Sequence, residues 1–328
     1  MYLVGDIGAT NARLAWAREA GDGFAIDAVA IYPSDAAPGL GPLLRRFVAE
    51  HPGTPRAAAF GLPGPVQNEV VRTTNIPWVV AGRALQEAIG VPVALLNDLE
   101  AAAHGTLVLP PAGSVVLQEG VPKEGARAVI AAGTGLGQAI LAWDGSDWIP
   151  SPSEGGHVDF GPRDEEEVDL WRFLSQRDGR ASYEMIVSGP GIAGLYDFYA
   201  ERLDVRTPPW AEGEDRAAAI SRAADTATDP AAEAAMDRFV RIYGAQAGNL
   251  ALTALALGGV WIAGGVAARN VERMRSGSFV EAFRAKGKHQ TMLEEIPVHL
   301  VTDRVLALRG AARAARRLAA GRPPLGRA

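Results

Sequence analysis

The stretch GDIGATNARLAW at residues 5–16 has a near match in AAGTGLGQAILAW at residues 131–143. Each begins on an apolar run, passes through a turn of glycine and threonine, and ends in Leu-Ala-Trp. Apolar runs interrupted by glycine turns predict a strand–turn–strand hairpin at both places. The match has two interpretations: chance similarity between glycine-rich hairpins in an alanine-rich chain, or two domains built on one duplicated unit, with the hairpins facing a shared cleft.

The composition is typical of a globular protein with an ample core. The chain has 328 residues, of which 48% are hydrophobic, and a formal net charge of −6. This length favours about two domains, and the interspersed charges of both signs argue against a large nucleic-acid interface. Cysteine is absent, which excludes disulfides, thiolate zinc sites and cysteine nucleophiles and is compatible with a reducing compartment.

The N-terminal stretch MYLVGDIGAT has no basic region, and Asp6 interrupts its first apolar run. We therefore expect no signal peptide. No uncharged apolar run in the sequence is long enough to span a bilayer, so we expect a cytoplasmic protein without a membrane partner.

Two common nucleotide-binding motifs are missing from the sequence. No G-x-x-x-x-G-K-[ST] pattern is present, which excludes a P-loop NTPase. The GTGLG stretch at residues 133–137 lacks the G-x-G-x-x-G spacing, and a strand-like run rather than a helix follows it. A dinucleotide-binding fold of that kind is therefore not indicated.

Turns whose backbone N–H groups converge can hold phosphate without a lysine, because glycine permits φ > 0 and the close approach of an anion. The predicted phosphate contacts in the two hairpin turns are Gly8, Thr10 and Asn11 in the first and Gly133, Thr134, Gly135 and Gly137 in the second. A third turn, at Gly264 and Gly265, either lets a purine lie on the backbone or is a plain strand-to-helix turn. Asp6 could bind Mg²⁺ directly or through water, or only accept turn N–H groups.

Three further segments carry polar side chains next to turns or strand ends. Glu154 and His157 flank a Gly-Gly pair in SEGGHVDFGP, and Glu184 lies in SYEMIVSGPG. Carboxylates in such turns suit the hydroxyl groups of a polyol, although a lone Glu or His is more often surface charge. Asn97 and Asp98 end the apolar run of LLNDLEAAAHG. That pair either only caps the following helix or places Asp98 for chemistry.

The order of GDIGATNARLAW, LLNDLEA, GTGLG, PSEGGHVDFGP, SYEMIVSGPG, GGVWIAGGV and IPVHLV resembles the bacterial ATP-dependent glucokinases. That family is a branch of the sugar kinase/Hsp70/actin superfamily, and the absence of cysteine indicates its non-ROK group. The resemblance implies an α/β, two-domain actin-like ATPase (ribonuclease H-like) fold with an interdomain cleft. It also implies a small domain at 1–110 completed by a C-terminal helix at 303–320, a large domain at 111–302, and a disordered tail at 321–328.

The resemblance further implies phosphoryl transfer from ATP, with Mg²⁺, to the 6-hydroxyl of glucose by a homodimer. Asp98 resembles the catalytic base. Asn97, Glu154, His157 and Glu184 resemble sugar ligands, Gly8, Thr10, Gly133 and Thr134 the phosphate cradle, and Asp6 the residue next to Mg²⁺. The alternatives are another sugar kinase of this fold or a non-catalytic sugar sensor. Such sensors usually carry an N-terminal helix-turn-helix, whereas the motifs here start near residue 2.

Overall fold

The computed structural model describes residues 1–74, 76–213 and 215–322. It confirms the predicted α/β class. The strands are β1 (Tyr2–Ile7), β2 (Asn11–Ala20), β3 (Gly23–Pro33), β4 (Ala58–Leu62), β5 (Val66–Gln67), β6 (Val70–Arg72), β7 (Val79–Ala81), β8 (Val93–Asn97), β9 (Ser114–Gln118), β10 (Arg127–Ala132), β11 (Leu136–Trp143), β12 (Trp148–Ser153), β13 (Val260–Ala263) and β14 (Val298–Val301). The α-helices are α1 (Leu40–Glu50), α2 (Gly82–Ile89), α3 (Asp98–Thr106), α4 (Glu165–Asp178), α5 (Gly189–Arg202), α6 (Arg216–Asp225), α7 (Pro230–Ala254), α8 (Gly265–Arg269), α9 (Val271–Arg275), α10 (Ser278–Arg284), α11 (Gln290–Glu294) and α12 (Leu306–Ala319).

Each of the two quoted stretches forms a strand–turn–strand element, β1–β2 and β10–β11, as predicted. The first lies in a sheet with the order β3-β2-β1-β4-β8, and the second in a sheet with the order β12-β11-β10-β13-β14-β9. In both sheets the first strand of the hairpin pairs in parallel with a later strand, β4 or β13. The shared order favours the interpretation of a duplicated unit over chance similarity.

The chain forms two compact units. Unit 1 comprises Met1–Ser114, Ala139–Pro152 and the segment from Thr302, and unit 2 comprises Val115–Gln138 and Ser153–Val301. The segment 139–152, which the sequence placed with the second domain, lies in unit 1. Its turn residue Asp147 forms ion pairs with Arg313 and Arg317 of α12, which explains this placement. The domain boundaries themselves stay a prediction, because a compact unit need not fold independently.

Helix α12 packs within unit 1, where its small-residue face meets α3, β1 and β4. Two glycines allow the close approach of α12 to α3. A Cβ added at Gly310 would overlap the carbonyl oxygen of Ala101, and one added at Gly105 would overlap that of Leu306. The face of α12 that packs against α3, β1 and β4 therefore includes the apolar stripe Leu306, Ala307, Gly310, Ala311 and Ala314.

Several elements were not anticipated from the sequence. Helix α5 follows the SGPG turn, the small sheet β5-β6-β7 follows β4, and the short helices α8 to α11 lie between β13 and β14. The stretch TPPWAEGED at 207–215 has the composition of a loop and contains a short 3₁₀ turn at Pro209–Glu212, and residue 214 lies outside the described residues. Most of the predicted tail, residues 323–328, also lies outside them. Within the described ranges, no helix combines the length and apolar character needed to cross a membrane.

We expect Gly310→Ala to lower the free energy of unfolding by about 1–3 kcal/mol, the usual cost of forcing extra volume into a packed contact. The control is Ala49→Ser at an exposed position of α1. That variant should change the free energy of unfolding by less than about 0.5 kcal/mol, the usual range for surface substitutions. Chemical unfolding followed by circular dichroism measures both, and equal midpoints would contradict the packing described.

Candidate active site

The predicted site residues lie in both units, and each group is described within its own unit. Unit 1 contains Asp6, Gly8, Thr10, Asn11, Asn97 and Asp98, and unit 2 contains Gly133, Thr134, Gly135, Glu154, His157, Glu184, Gly264 and Gly265.

Asn97 is the N-cap of α3. Its Oδ1 accepts a hydrogen bond from the Leu99 amide at 2.9 Å, and its own amide donates to Glu100 Oε2 at 3.3 Å, which completes a capping box. The Asn97 Nδ2 donates to the carbonyl of Gly64 at 3.2 Å. The capping role considered for Asp98 therefore belongs to Asn97, whose side-chain amide is held on both sides.

Asp98 is the first residue of α3 and is half-buried. Its Oδ1 accepts a hydrogen bond from the Leu99 amide at 2.8 Å. Gly61 of β4 lets this first turn approach closely, since a Cβ there would lie 2.9 Å from the Ala101 Cβ. A carboxylate at a helix N-terminus is stabilised in its charged form by the helix dipole. The carboxylate of Asp98 thus has a fixed position at the end of a buried strand.

The first glycine turn is closed by its own backbone. The Gly8 amide donates to the Asn11 carbonyl at 2.8 Å, and Ser34 donates from its hydroxyl to the Gly8 carbonyl at 2.8 Å and from its amide to the Thr10 carbonyl at 2.9 Å. Gly8 therefore shapes the turn, and its N–H already has an acceptor. The side chains that the turn presents to solvent are those of Ala9, Thr10 and Asn11.

Asp6 lies opposite Arg13 in the β1–β2 pairing, with 3.5 Å between Asp6 Oδ2 and Arg13 Nη1. Burial raises the pKa of the Asp6 carboxyl, and the neighbouring guanidinium opposes that shift. Any cation at Asp6 would have to compete with Arg13. Among the described residues no group of three or more His, Asp or Glu side chains is arranged to hold a metal ion.

The second glycine turn is tied to α5. Gly133 donates from its amide to the Gly135 carbonyl at 2.8 Å, and Gly189 donates to the Gly133 carbonyl at 2.8 Å. Gly135 makes room for an acidic side chain, because a Cβ there would lie 2.5 Å from Glu184 Oε2. The same oxygen accepts a hydrogen bond from the Leu136 amide at 2.9 Å. The turn thus contacts one of the predicted sugar ligands directly.

The structure brings Glu154, His157 and Glu184 together. The His157 ring lies between the two carboxylates, with Nε2 3.7 Å from Glu154 Oε2 and Nδ1 3.5 Å from Glu184 Oε1. Glu154 is 83% exposed and Glu184 30% exposed. The Gly-Gly pair between Glu154 and His157 forms a 3₁₀ turn. These side chains form a polar, partly open cluster suited to hydroxyl groups.

Both glycines of that 3₁₀ turn lie in close contact with β11. A Cβ at Gly156 would overlap the Leu136 carbonyl, and one at Gly155 would overlap the side-chain oxygen of Gln138. The amide of Glu184 donates to the Gly156 carbonyl at 2.9 Å. The turn, the start of β11 and Glu184 therefore form one packed assembly.

Unit 2 also contains a pocket of about 720 Å³, within the size range of small-molecule sites. Gly133 and Thr134 line it together with Gly265 at the start of α8. Gly264 instead serves packing, because its φ of 89° and its close approach to Ala132 both exclude a side chain. A smaller cavity of about 150 Å³ shares part of the same lining, namely Ala217, Val266 and Arg269.

Three arginines in the lining of the larger pocket were not anticipated from the sequence: Arg177, Arg216 and Arg269. Arg216 pairs with Asp197 at 2.6 Å, whereas Arg269 is 65% exposed and lies 3.9 Å from Asp215. They come from α4, α6 and α8, and their spacing in sequence does not predict that they line one pocket. Each of the three also has an acidic neighbour, Asp178, Asp197 or Asp215, so the lining offers guanidinium donors rather than a large net positive charge.

Comparisons with known proteins agree over nearly the whole chain. The sequence model of the family described as Glucokinase matches residues 3–318. A glucokinase of Nostoc sp. is 37% identical over 308 residues, covering 88% of this chain and 90% of that protein. A glucokinase structure from an Antarctic psychrotroph is 32% identical with a TM-score of 0.86, covering 96% of this chain and 98% of that chain.

A more distant structure shares the fold. The ROK family glucokinase from Streptomyces griseus, solved in complex with glucose and AMPPNP, is 21% identical with a TM-score of 0.66, covering 96% of this chain and 99% of that chain. The predicted superfamily fold is therefore confirmed. Because the family model covers residues 3–318 and the Nostoc relative shares more than a third of its aligned residues, this chain belongs to the glucokinase family.

Proposed function

We propose that this chain transfers the γ-phosphoryl group of MgATP to the 6-hydroxyl of glucose, giving glucose 6-phosphate and ADP. The observation that carries the proposal is the arrangement in unit 2, where one glycine turn both lines the large pocket and contacts Glu184. A nucleotide in that pocket and a sugar at the Glu154–His157–Glu184 cluster would be bound by adjoining parts of one packed assembly. Membership of the glucokinase family supports this assignment.

ATP is the ligand that the large pocket fits best. Backbone turns at Gly133–Thr134 and at the start of α8 suit phosphate oxygens, and the three pocket arginines supply further N–H donors. The adjoining cavity of about 150 Å³ offers further space for the nucleoside. The structure of the Streptomyces griseus relative, which holds AMPPNP, supports a nucleotide of this class.

Glucose is assigned to the cluster of Glu154, His157 and Glu184, with Asn97 and Asp98 as further contacts. Carboxylates accept hydrogen bonds from sugar hydroxyls in fixed directions. A site built for such bonds discriminates strongly, because a wrong ligand leaves buried polar groups unpaired. Asn97 contributes mainly by capping α3, which fixes the position of the neighbouring carboxylate.

Asp98 is the proposed catalytic base. The 6-hydroxyl attacks the γ-phosphorus in line, the bond to the β–γ bridging oxygen breaks, and the hydroxyl proton passes to the Asp98 carboxylate. The transition state of such transfers is loose, so the proton moves late and the carboxylate acts chiefly by orienting the hydroxyl. Its hydrogen bond from the Leu99 amide and its place on the first turn of α3 hold it in that orientation.

Mg²⁺ is proposed to enter with ATP as part of the substrate. The single carboxylate Asp6, already facing Arg13, fits a cation carried by a triphosphate better than a resident metal. Mg²⁺ screens the charge of the triphosphate from the acidic residues of the site. We further propose a cytoplasmic location and a homodimer, the latter to be tested by light scattering.

A coupled assay across a hexose panel, with ATP, ADP and polyphosphate as donors, tests the proposed function. Turnover of glucose with MgATP is expected. Preference for a different sugar would instead identify another sugar kinase of this fold. Sugar binding without turnover of any hexose would identify a non-catalytic sensor.

We expect Asp98→Asn to lower kcat by about 10²–10⁴, the usual cost of losing a general base. Glucose should still bind, because asparagine can accept the same hydrogen bond from the Leu99 amide and keep the turn intact. The control is Asp27→Asn, an exposed carboxylate paired with Arg18 in the same unit. A near-normal kcat for Asp98→Asn would rule out the assignment.

Gly135→Ala should raise the KM for glucose by roughly tenfold or more, because hydrogen bonds to charged groups contribute about 1.5–3 kcal/mol. The added methyl group would displace the Glu184 carboxylate from the Leu136 amide. Gly39→Ala is the control, since its Cβ would meet nothing within 4 Å. Initial rates at varied glucose measure the effect, and an unchanged KM would show that Glu184 is not a sugar ligand.

Ala193→Leu should raise the KM for ATP by at least about fivefold while changing the KM for glucose little. Ala193 lines the large pocket on α5, and three added carbons occupy space assigned to the nucleotide. Ala49→Leu, at an exposed position of α1, is the matched control. An unchanged KM for ATP would place the nucleotide elsewhere.

A further inference from the structure

Helices α7 and α10 lie in unusually close contact in unit 2. A Cβ at Gly244 of α7 would overlap the Phe279 carbonyl, and one at Gly248 would overlap the Phe283 carbonyl and lie 2.7 Å from Lys286 Cε. Two glycines four residues apart share one helix face. They bring the chain just after α10, which carries Lys286, onto the surface of α7.

Lys286 uses this closeness to reach two acceptors on α7. Its Nζ donates to Asn249 Oδ1 at 2.6 Å and to the Ala245 carbonyl at 2.9 Å. The pKa of the Lys286 ammonium is lowered to about 8, chiefly because of burial and in part because of Arg163, while Glu167 opposes the shift. Lys286 is thus a half-buried ammonium whose two hydrogen bonds both go to α7.

Lys286 is not needed as the counterion of Glu167. That buried carboxylate already pairs with Arg163 and, at 3.1 Å, with Arg238. The contacts of the Lys286 ammonium are instead with neutral oxygen atoms of α7. The role of Lys286 is therefore to hold the side-chain amide of Asn249.

The ammonium fixes the orientation of the Asn249 amide. Lysine has only donors, so the Asn249 oxygen must face Lys286 and the NH₂ group must face away. That NH₂ group donates to Tyr183 Oη at 3.0 Å and to Gln246 Oε1 at 3.0 Å. A cation on the amide oxygen polarises the amide and strengthens the bonds that its NH₂ group donates.

Tyr183 links the Asn249 amide to the segments that contain the sugar cluster. Its ring is buried edge-on against Phe160, 5.5 Å between centroids, and its hydroxyl also accepts a hydrogen bond from the Gly161 amide. The Tyr183 amide donates to the Val158 carbonyl at 3.2 Å. Tyr183 therefore ties together the segment that follows His157 and the segment that contains Glu184.

We propose that Lys286 and Asn249 are positioning residues for sugar binding, acting through Tyr183 on the segments that carry His157 and Glu184. This inference rests on the proposed function. The hydrogen bonds that join Lys286, Asn249 and Tyr183 set the register between the two segments. Glu184, the next residue after Tyr183, depends on that register to meet the Leu136 amide and the sugar together.

Lys286→Met should raise the KM for glucose by about tenfold, which corresponds to about 1.4 kcal/mol, while kcat and the KM for ATP change less than about threefold. Tyr183→Phe should act in the same direction. Asn249→Leu, which removes the donor to Tyr183 and offers the Tyr183 hydroxyl no acceptor in its place, should also do so. Lys288→Met, an exposed lysine two residues further on, is the matched control.

Two further measurements separate positioning from a merely structural role. In a double-mutant cycle, Lys286→Met with Tyr183→Phe should raise the KM for glucose no more than either change alone, because both break the same chain of contacts. In the native chain the KM for glucose should rise as pH passes about 8 and Lys286 loses its proton, with Arg163 and Glu167 the charged groups that face it. Lys286→Met should abolish that rise.

The outcomes distinguish this inference from the proposed function. Absence of hexose turnover by the native chain overturns the proposed function, whatever the variants do. With an active native chain, an unchanged KM for glucose in Lys286→Met, or an equal rise in the KM for ATP, overturns the positioning role. If Lys286→Met fails to fold, Asn249→Leu and Tyr183→Phe decide, and additive effects of those two changes would overturn the inference.

Discussion

The hydrogen bond from the Leu136 amide to the Glu184 carboxylate is the contact on which the site in unit 2 depends. It exists because Gly135 has no side chain, and because Gly156 allows the neighbouring turn to lie against the Leu136 carbonyl. A charged acceptor on a backbone donor is stronger and more directional than a neutral pair. Glu184 is thereby held against the turn that lines the large pocket, and His157 is held against Glu184.

In unit 1, two neighbouring residues have different roles: Asn97 caps α3, and Asp98 supplies a carboxylate on its first turn. Asn97 caps α3 with its amide oxygen and binds the Gly64 carbonyl with its amide nitrogen, which fixes the orientation of its side chain. Asp98 then starts the helix with a carboxylate of fixed position. Glycines at 105 and 310 let α12 lie against α3, so the C-terminal helix stabilises the element that presents Asp98.

Local sequence patterns predicted the two hairpins and the helix that follows Asn97–Asp98, because apolar runs and glycine turns determine them within a short window. The Asn97–Asp98 pair shows the limit of such patterns, since either side chain can cap a helix and only the backbone geometry assigns the cap to Asn97. Helix α5 was missed because its start, SGPG, reads as a turn. The pocket arginines and the Lys286–Asn249 contact come from residues far apart in sequence, and no local pattern records them.

The two related hairpins show how a duplicated unit can diverge. The sheets share their strand order, yet the first turn is closed on itself through Gly8 and Ser34 and presents the side chains of Thr10 and Asn11 to solvent. The second turn is bound to α5 and to Glu184 and lines a pocket. Turns at equivalent places in the two sheets therefore present side chains in one unit and line a pocket in the other. Glycine at 135 makes that difference, because a side chain there would break the contact with Glu184.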